Sequence, residues 1–248
     1  MDAERASADR SVSLVVPTFR EVENIAALVD RVKAVARAHR LNVQMIVVDD
    51  RSDDGTVELV RKLADRDWLE ILVRDGERSL SLSVLDGFRR ARYDTLVVMD
   101  ADLSHPPEAI PLLLEALHEP DVDFVVGSRF VPDGSIDPRW TMARRLYSYA
   151  ARLLVRGLTS LRDPTSGFFA LRRRCLSSAD ALTPIGYKIG LELLIKCRCR
   201  TVREVPIHFS ERFRGTTKLG ARQCLQYLRH ILRLYVYRVK TRMKSSAE

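Results

Sequence analysis

The chain has 248 residues, with 41 lysine and arginine side chains against 33 aspartate and glutamate side chains, for a formal charge of +8. This length can bury a full core, and no apolar run approaches the roughly 18–20 residues that a bilayer span needs, which argues against an integral membrane protein. The four cysteines, Cys175, Cys197, Cys199 and Cys224, lack the spacing of a zinc site, so we expect reduced thiols packed in the structure.

Charge is unevenly distributed along the chain. Residues 1–128 contain 16 basic and 25 acidic side chains, whereas residues 129–248 contain 25 basic and 8 acidic ones. An acidic half joined to a basic half favours a site where a cation and phosphate groups meet. The first ten residues are polar and lack the apolar core of a signal peptide, so we expect a cytoplasmic protein.

The first half alternates apolar strands with amphipathic helices. Strands are predicted at Val12–Pro17, Val43–Val48, Leu69–Val73, Thr95–Met99 and Phe124–Gly127. Helices are predicted at Ile25–Ala38, Thr56–Ala64, Leu80–Ala91 and Pro107–Leu117. This alternation indicates an α/β fold, a Rossmann-like three-layer sandwich with a mostly parallel central sheet. Ligands of such sheets bind beyond the carboxyl ends of the strands.

After Arg129 the alternation loosens. Phe130–Trp140 is predicted to be a loop, and Thr141–Leu158 a helix. The apolar residues expected to face inward from that helix are Leu146, Tyr149, Ala150, Leu153, Leu154 and Leu158. Next come a turn at Arg162–Phe169 leading into a short strand, a helix near Gly190–Cys197, a strand pair around Val202–Glu211, and a long helix from about Leu219 to Met243. We therefore expect a flexible N-terminus (1–10), one domain (11–218) and a basic, amphipathic C-terminal helix and tail (219–248).

Two carboxylates, Asp100 and Asp102, stand one residue apart where the fourth strand ends. Such a pair is common by chance, but its place at the end of a parallel strand favours a divalent cation site. Mg²⁺ or Mn²⁺ accepts carboxylates while keeping positions for phosphate oxygens, and would neutralise a leaving diphosphate.

A second acidic loop follows the strand Val43–Val48. Its acids are Asp49, Asp50, Asp53 and Asp54; Asp50 is favoured as the carboxylate that accepts hydrogen bonds from a base or ribose, with Asp53–Gly55 as a tight turn. The alternative is a solvated turn without a ligand.

Cations gather in the second half. The set consists of Arg129, Arg144, Arg145, Arg212, Arg214 and Lys218. Guanidinium groups bind phosphate through two parallel hydrogen bonds, so this set favours a phosphate site over a solvated basic loop. The last helix adds many cations beside apolar residues, which suits either a membrane interface or docking on its own domain. No module that reads nucleic acid is recognised, and no nucleic-acid partner is expected.

Seven segments together resemble the inverting family 2 glycosyltransferases of GT-A fold, and among them the polyprenyl-phosphate (dolichyl-phosphate) mannose synthases. The segments are Val16–Asn24, Val48–Thr56, Met99–Pro107, Gly127–Arg129, Arg144–Ser148, Asp163–Phe168 and Arg212–Leu219. They run in family order over nearly the whole chain. The resemblance implies a GDP-mannose donor, a polyprenyl (dolichyl) phosphate acceptor and an inverting, metal-dependent transfer.

The resemblance also assigns roles to individual residues. The nucleotide sugar would be held by Pro17, Phe19, Glu21, Asp50, Asp100, Arg129, Arg212 and Lys218. The metal would be held by Asp100, Asp102 and Ser104. The acceptor phosphate would be held by Arg144, Ser148, Arg212 and Lys218. The residues implied in catalysis are Asp102, Arg129, Arg144 and Ser148.

The chain departs from the family pattern in two places. A loop that is usually Gly-Lys-x-Gly-Leu-Gly reads Gly76-Glu77-Arg78-Ser79-Leu80-Ser81 here, and the transmembrane tail of many relatives is missing. The second departure leaves the basic C-terminal helix as the expected contact with the cytosolic face of a membrane, with room for an accessory membrane subunit. Two alternatives remain open: the same fold using UDP-glucose or another donor, and a non-catalytic membrane-associated partner.

Overall fold

The computed structural model describes residues 10–65, 67–177, 179, 182–183, 185–197, 199, 201–213 and 221–245. Its strands are β1 Ser11–Thr18, β2 Asn42–Asp49, β3 Leu69–Val73, β4 Thr95–Val98, β5 Val122–Ser128, β6 Ser135–Ile136, β7 Phe169–Arg172, β8 Thr201–Pro206 and β9 His208–Phe209. Its α-helices are α1 Val22–His39, α2 Thr56–Leu63, α3 Leu80–Arg90, α4 Ile110–His118, α5 Met142–Leu154, α6 Arg174–Ser177, α7 Ile189–Lys196 and α8 Ala221–Ser245. A 3₁₀ turn, Pro107–Ala109, leads into α4.

Seven strands form the central sheet in the order β3-β2-β1-β4-β7-β5-β8. Neighbouring strands are parallel except where β7 pairs with β4 and β5. The predicted mostly parallel α/β sheet is thus confirmed. The order of the strands reverses direction between β1 and β4, and such a switch point opens a crevice at the carboxyl ends of the two strands.

The helices cover both faces of the sheet, which makes the predicted three layers. On one face, Ile25 and Leu28 of α1 and Leu113 of α4 pack on β1, β2 and β4. On the other face, Phe88 of α3 and Leu193 of α7 are buried against the same sheet. Each such side chain contributes roughly 1.5–3 kcal/mol when it is fully removed from water, so the apolar strand sequences hold the strand ends in place.

The second half differs from the sequence-based predictions in three ways. The predicted loop Phe130–Trp140 contains β6, which pairs with β9 in a separate two-stranded sheet. The predicted strand pair around 202–211 does not pair internally, because β8 joins β5 and β9 joins β6. Two-residue strands that pair over 70 residues apart give no periodic signal, so the sequence could not reveal them.

The third difference concerns α5, whose apolar face was predicted to point inward. The structure instead exposes Leu146, Tyr149, Ala150, Leu153 and Leu154, and only Leu158, beyond the end of the helix, is buried. The inward face carries the polar and small residues Ser148 and Ala151. Periodicity identifies residues that share a face, but it does not say which way that face points.

The C-terminal helix α8 packs against α5. Tyr227, Ile231 and Leu234 are buried with Ala151 and Val155 of the α5 region. The hydroxyl of Tyr227 donates to the Ala151 carbonyl at 2.8 Å, and that of Tyr235 donates to the Leu154 carbonyl at 3.0 Å. None of the helices in the described ranges is both long enough and apolar enough to span a bilayer.

Candidate active site

The two carboxylates after β4 lie at the switch point of the sheet. Asp102 is buried, and its Oδ1 accepts the Ser104 hydroxyl at 2.5 Å while its Oδ2 lies 2.9 Å from Nε of Arg212. The Asp100 side chain is 36% exposed and faces Gly167, where a Cβ would come within 3.2 Å of Asp100 Oδ2. Gly167 therefore leaves room around this carboxylate that a side chain would take.

These residues fit a hard divalent cation shared with a nucleotide. Within the described residues no cluster of three histidine, cysteine, aspartate or glutamate side chains could hold a metal by itself. Mg²⁺ is commonly bound by one or two carboxylates and completes its coordination with water and phosphate oxygens, so Asp100 and Asp102 suffice. Ser104 orients the carboxylate of Asp102, and its service as a metal ligand stays a prediction.

The loops after β1 and β2 form the neighbouring part of the rim. Asp49 is used internally, since it accepts the Thr18 hydroxyl at 2.9 Å and the Ser52 backbone N–H at 2.7 Å. Asp50 is buried and accepts from the Arg74 guanidinium and from the Ser79 N–H at 2.7 Å. A carboxylate has about four lone-pair positions, so Asp50 keeps acceptor capacity for a ligand.

Arg74 connects this rim to α3. Its guanidinium pairs with Asp50 and also with Asp86 of α3, at 2.7 Å, and its side chain is buried. Sequence reasoning missed Arg74, although the rule that selected Asp50 after β2 also points to the residue that follows β3. We assign it the task of orienting Asp50.

The remaining residues predicted to hold the nucleotide lie around the end of β1. Pro17 is within β1, opposite Val48 of β2. The ring of Phe19 lies under two guanidinium groups, with the Arg78 carbon 3.7 Å and the Arg20 carbon 5.2 Å from its centroid. Glu21 accepts the side-chain amide of Asn24 at 2.7 Å at the start of α1. The structure thus brings Phe19 and Asp50 to one rim; their nucleotide contacts stay predictions.

Arg129, which follows β5, is bound within the protein. It donates two hydrogen bonds of 2.7 Å to the buried carboxylate of Asp163 and one of 3.2 Å to the Thr165 hydroxyl. Burial alone would raise the pKa of Asp163, but the Arg129 charge and hydrogen bonds hold that pKa below its ordinary value. Arg129 thereby anchors the turn at Asp163–Phe168, and a direct contact with the donor stays a prediction.

Lys188 joins this network from the segment before α7 and was missed by the sequence analysis. Its ammonium donates to the Thr165 carbonyl. Burial and the neighbouring charge of Arg129 lower the pKa of Lys188 to about 8, against the opposing influence of Asp100 and Asp163. No motif or periodicity marks this lysine, since its place depends on how α7 packs against the turn.

The residues predicted to hold the acceptor phosphate lie on α5 and after β9. Arg144 stands in the first turn of α5, with its guanidinium carbon 3.9 Å from the centroid of Trp140, and Ser148 lies one turn later and is buried. Burial, and then the charge of Arg212, lower the pKa of Arg144. Arg212 itself pairs with Asp102 at 2.9 Å, and the binding of an acceptor phosphate by Arg144 and Arg212 stays a prediction. Lys218 and Arg214 lie outside the described residues.

Comparisons with known proteins identify the family of this chain. The model of the family described as "Glycosyl transferase family 2" matches residues 13–178. The chain is 40% identical to the dolichol-phosphate mannosyltransferase of Mycosarcoma maydis, over 95% of this chain and 82% of that protein. It is 36% identical to the polyprenol monophosphomannose synthase of Mycolicibacterium smegmatis, over 84% and 80% of the two chains.

A solved structure supports the fold. Glucosyl-3-phosphoglycerate synthase of Mycobacterium tuberculosis, crystallised with Mn²⁺, UDP-glucose and phosphoglyceric acid, superposes with a TM-score of 0.69. The match covers 95% of this chain and 82% of that one at 18% identity. It confirms the predicted GT-A-type architecture.

Proposed function

This chain belongs to glycosyl transferase family 2, and we propose that it transfers a mannosyl residue from GDP-mannose to a polyprenyl phosphate. The observation that carries the proposal is the ion pair of 2.9 Å between Arg212 and the buried carboxylate of Asp102, together with the guanidinium of Arg144 on the Trp140 ring at the start of α5. The carboxylates of Asp100 and Asp102 suit a metal-bound diphosphate, and the two arginines suit a second, separate phosphate. The names of the two curated relatives support mannosyl transfer to a polyprenyl (dolichyl) phosphate, and GDP-mannose as the donor is our proposal.

The proposed reaction is an in-line displacement. An oxygen of the acceptor phosphate attacks the anomeric carbon, the new C–O bond forms as the bond to the diphosphate breaks, and the configuration inverts. A phosphate monoester has a second pKa of about 6 and is largely dianionic at neutral pH, so the attacking oxygen needs no strong general base. Arg144, Ser148 and Arg212 would align it and relieve the repulsion between the two phosphates.

Asp100 and Asp102 would hold Mg²⁺ or Mn²⁺. When bound, the cation supplies charge neutralisation for the departing diphosphate. Ser104 keeps the Asp102 carboxylate oriented, with hydrogen bonds from its hydroxyl at 2.5 Å and its backbone N–H at 3.1 Å. Arg74 does the same for Asp50 on the nucleotide side.

We also propose that the protein works at the cytosolic face of a membrane, where its acceptor is held. Each of α5 and α8 exposes a stripe of apolar side chains at helical spacing. The stripes are Met142, Leu146, Tyr149 and Leu153 on α5, and Leu225, Leu228, Leu232, Val236, Val239 and Met243 on α8. Exposed apolar stripes of this length indicate an interaction surface.

Cations accompany the stripe on α8. At 100° per residue, Arg229, Arg233 and Lys240 lie along the flank of the stripe, where they would reach anionic headgroups. The cytosolic leaflet is the negatively charged one, which favours that face. The opposite face of α8 is buried on α5, so the helix docks on its own domain through one face and leaves the other face for the proposed membrane contact.

The test is transfer of radiolabelled mannose from GDP-mannose into a lipid extract, with polyprenyl phosphate and Mg²⁺ or Mn²⁺, followed by flotation with anionic and neutral liposomes. We expect cation-dependent product and preferential binding to anionic liposomes. Transfer from UDP-glucose alone would change the donor but keep the reaction. If folded protein transfers sugar from no donor, the result would favour the non-catalytic partner. If the protein is active but does not bind liposomes, the apolar stripes would be assigned to contact with an accessory membrane subunit.

A further inference from the structure

The loop between β3 and α3, residues 74–79, is held over the nucleotide side of the rim. The Ser79 N–H donates to Asp50 at 2.7 Å, Arg51 donates to the Gly76 carbonyl at 3.0 Å, and Arg74 donates to the Glu77 carbonyl at 3.1 Å. These contacts fix the backbone on both sides of Arg78. The position of Arg78 is therefore a property of the folded loop.

Arg78 is exposed, and its guanidinium stacks on the ring of Phe19 at 3.7 Å from the centroid. A cation–π contact at an exposed site contributes only a small stabilisation. This is too little to matter for the stability of the fold, but it gives the guanidinium a preferred plane and direction. The stack is thus better understood as part of a binding surface.

The proposed function puts a nucleoside at this surface. A donor whose diphosphate is held at Asp100 and Asp102, by the switch point between β1 and β4, would extend its nucleoside over the ends of the neighbouring strands β1 and β2. Phe19 follows β1, and Asp50 follows β2. Bases commonly stack on aromatic rings or on guanidinium planes, and this rim offers both.

We infer that Arg78 is a specificity-determining residue that favours guanine over uracil in the nucleotide subsite, an inference that rests on the proposed function. Guanine presents two acceptors, O6 and N7, on one edge, and the forked guanidinium matches them with two parallel hydrogen bonds. Uracil lacks this pair of acceptors. Lysine at position 78 would keep the charge but lose the fork.

The experiment is calorimetric titration of GDP, 7-deaza-GDP and UDP, each with Mg²⁺, into the wild type, Arg78→Ala, Arg78→Lys and Arg61→Ala. Arg61, an exposed arginine of α2, is the matched control. We expect Arg78→Ala to weaken GDP roughly ten- to a hundredfold and UDP less than about threefold. Arg78→Lys should resemble Arg78→Ala toward GDP. The wild type should discriminate against 7-deaza-GDP, which lacks N7, and Arg78→Ala should not.

The outcomes separate this inference from the proposed function. Tight GDP binding by the wild type, together with unchanged GDP binding by Arg78→Ala, would overturn the role of Arg78 and leave the donor proposal standing. Equal losses for GDP and UDP would also overturn it, because they would make Arg78 a contact without base preference. A wild type that prefers UDP would overturn the donor proposal and the guanine assignment together. Thermal melts of each variant show that the protein titrated is folded.

Discussion

The charged groups are paired differently on the two sides of the proposed catalytic rim. The nucleotide side contains Asp50, Arg74, Arg20 and Asp53, and the acceptor side contains Arg144, Ser148 and Arg212. On the nucleotide side the charged groups are matched within the protein: Asp50 pairs with Arg74, and Arg20 pairs with Asp53. On the acceptor side Arg212 pairs with Asp102 at 2.9 Å, and burial, followed by the charge of Arg212, lowers the pKa of the nearby Arg144. We propose that the first arrangement recognises a ligand by shape and by the edges of a base, and that the second holds a ligand that brings negative charge of its own.

The largest expected effect on activity comes from Asp102, which lies between the two sides. Asp102→Asn should lower kcat by about three orders of magnitude or more, because it removes a proposed metal ligand and the charged partner of Arg212 together. The measurement is the rate of mannosyl transfer at saturating cation. Asp94→Asn is the matched control, since Asp94 precedes the same strand and its side chain is 94% exposed. A substantial residual rate in Asp102→Asn would show that mannosyl transfer does not depend on a metal bound by Asp102.

The buried ion pair between Arg129 and Asp163 should contribute strongly to the free energy of unfolding. Asp163→Asn leaves the Arg129 guanidinium without its charged partner, and such losses cost about 3–5 kcal/mol of unfolding free energy. The pH dependence follows from the lowered pKa of Asp163. Its contribution is fully present above the unfolded pKa of about 4 and is lost as pH falls through the lower, folded pKa.

Urea unfolding of the wild type and Asp163→Asn between pH 6 and pH 3 checks this prediction. The difference in stability between them should shrink as the pH approaches the folded pKa. A difference that stays constant over this range would show that Asp163 does not act through its charge.

The charge comparison itself is tested by Arg144→Ala. If the clustered cations serve the acceptor, this variant should raise the KM for polyprenyl phosphate roughly ten- to a hundredfold and leave the KM for GDP-mannose within about twofold. Steady-state kinetics with each substrate varied in turn provides the measurement. Arg156→Ala, an exposed arginine just beyond the end of α5, serves as control. Equal effects on both substrates would mean that the two sides do not divide the phosphates between them.

The two sides of the rim also differ in how much of their structure the sequence could predict. Strands β1 to β5, and with them the places of Asp50, Asp100 and Asp102, follow from apolar runs that end in charged loops, because the strand-end rule needs only local sequence. Lys188 and the β6–β9 pair depend on contacts between distant segments, which one sequence does not encode locally. The exposed face of α5 was assigned to the wrong side because an amphipathic pattern is the same whether its partner is a protein core or a membrane.

The smallest expected effect tests that last distinction. Leu146→Ser and Leu232→Ser each replace one exposed leucine on α5 and α8, so neither should alter the melting temperature by more than a degree or two. An apolar side chain that leaves water for the bilayer gains up to roughly 1.5–3 kcal/mol, so with partial insertion we expect each variant to bind anionic liposomes about five- to tenfold more weakly. Liposome flotation measures this, and Leu112→Ser on α4, exposed outside both stripes, provides the control. If the control weakens binding as much as the α5 and α8 variants, the contact with the membrane lies elsewhere on the protein. If only the α8 variant weakens it, α5 presents its apolar face to the acceptor or to another protein, and the acceptor side recognises more of its substrate than the phosphate.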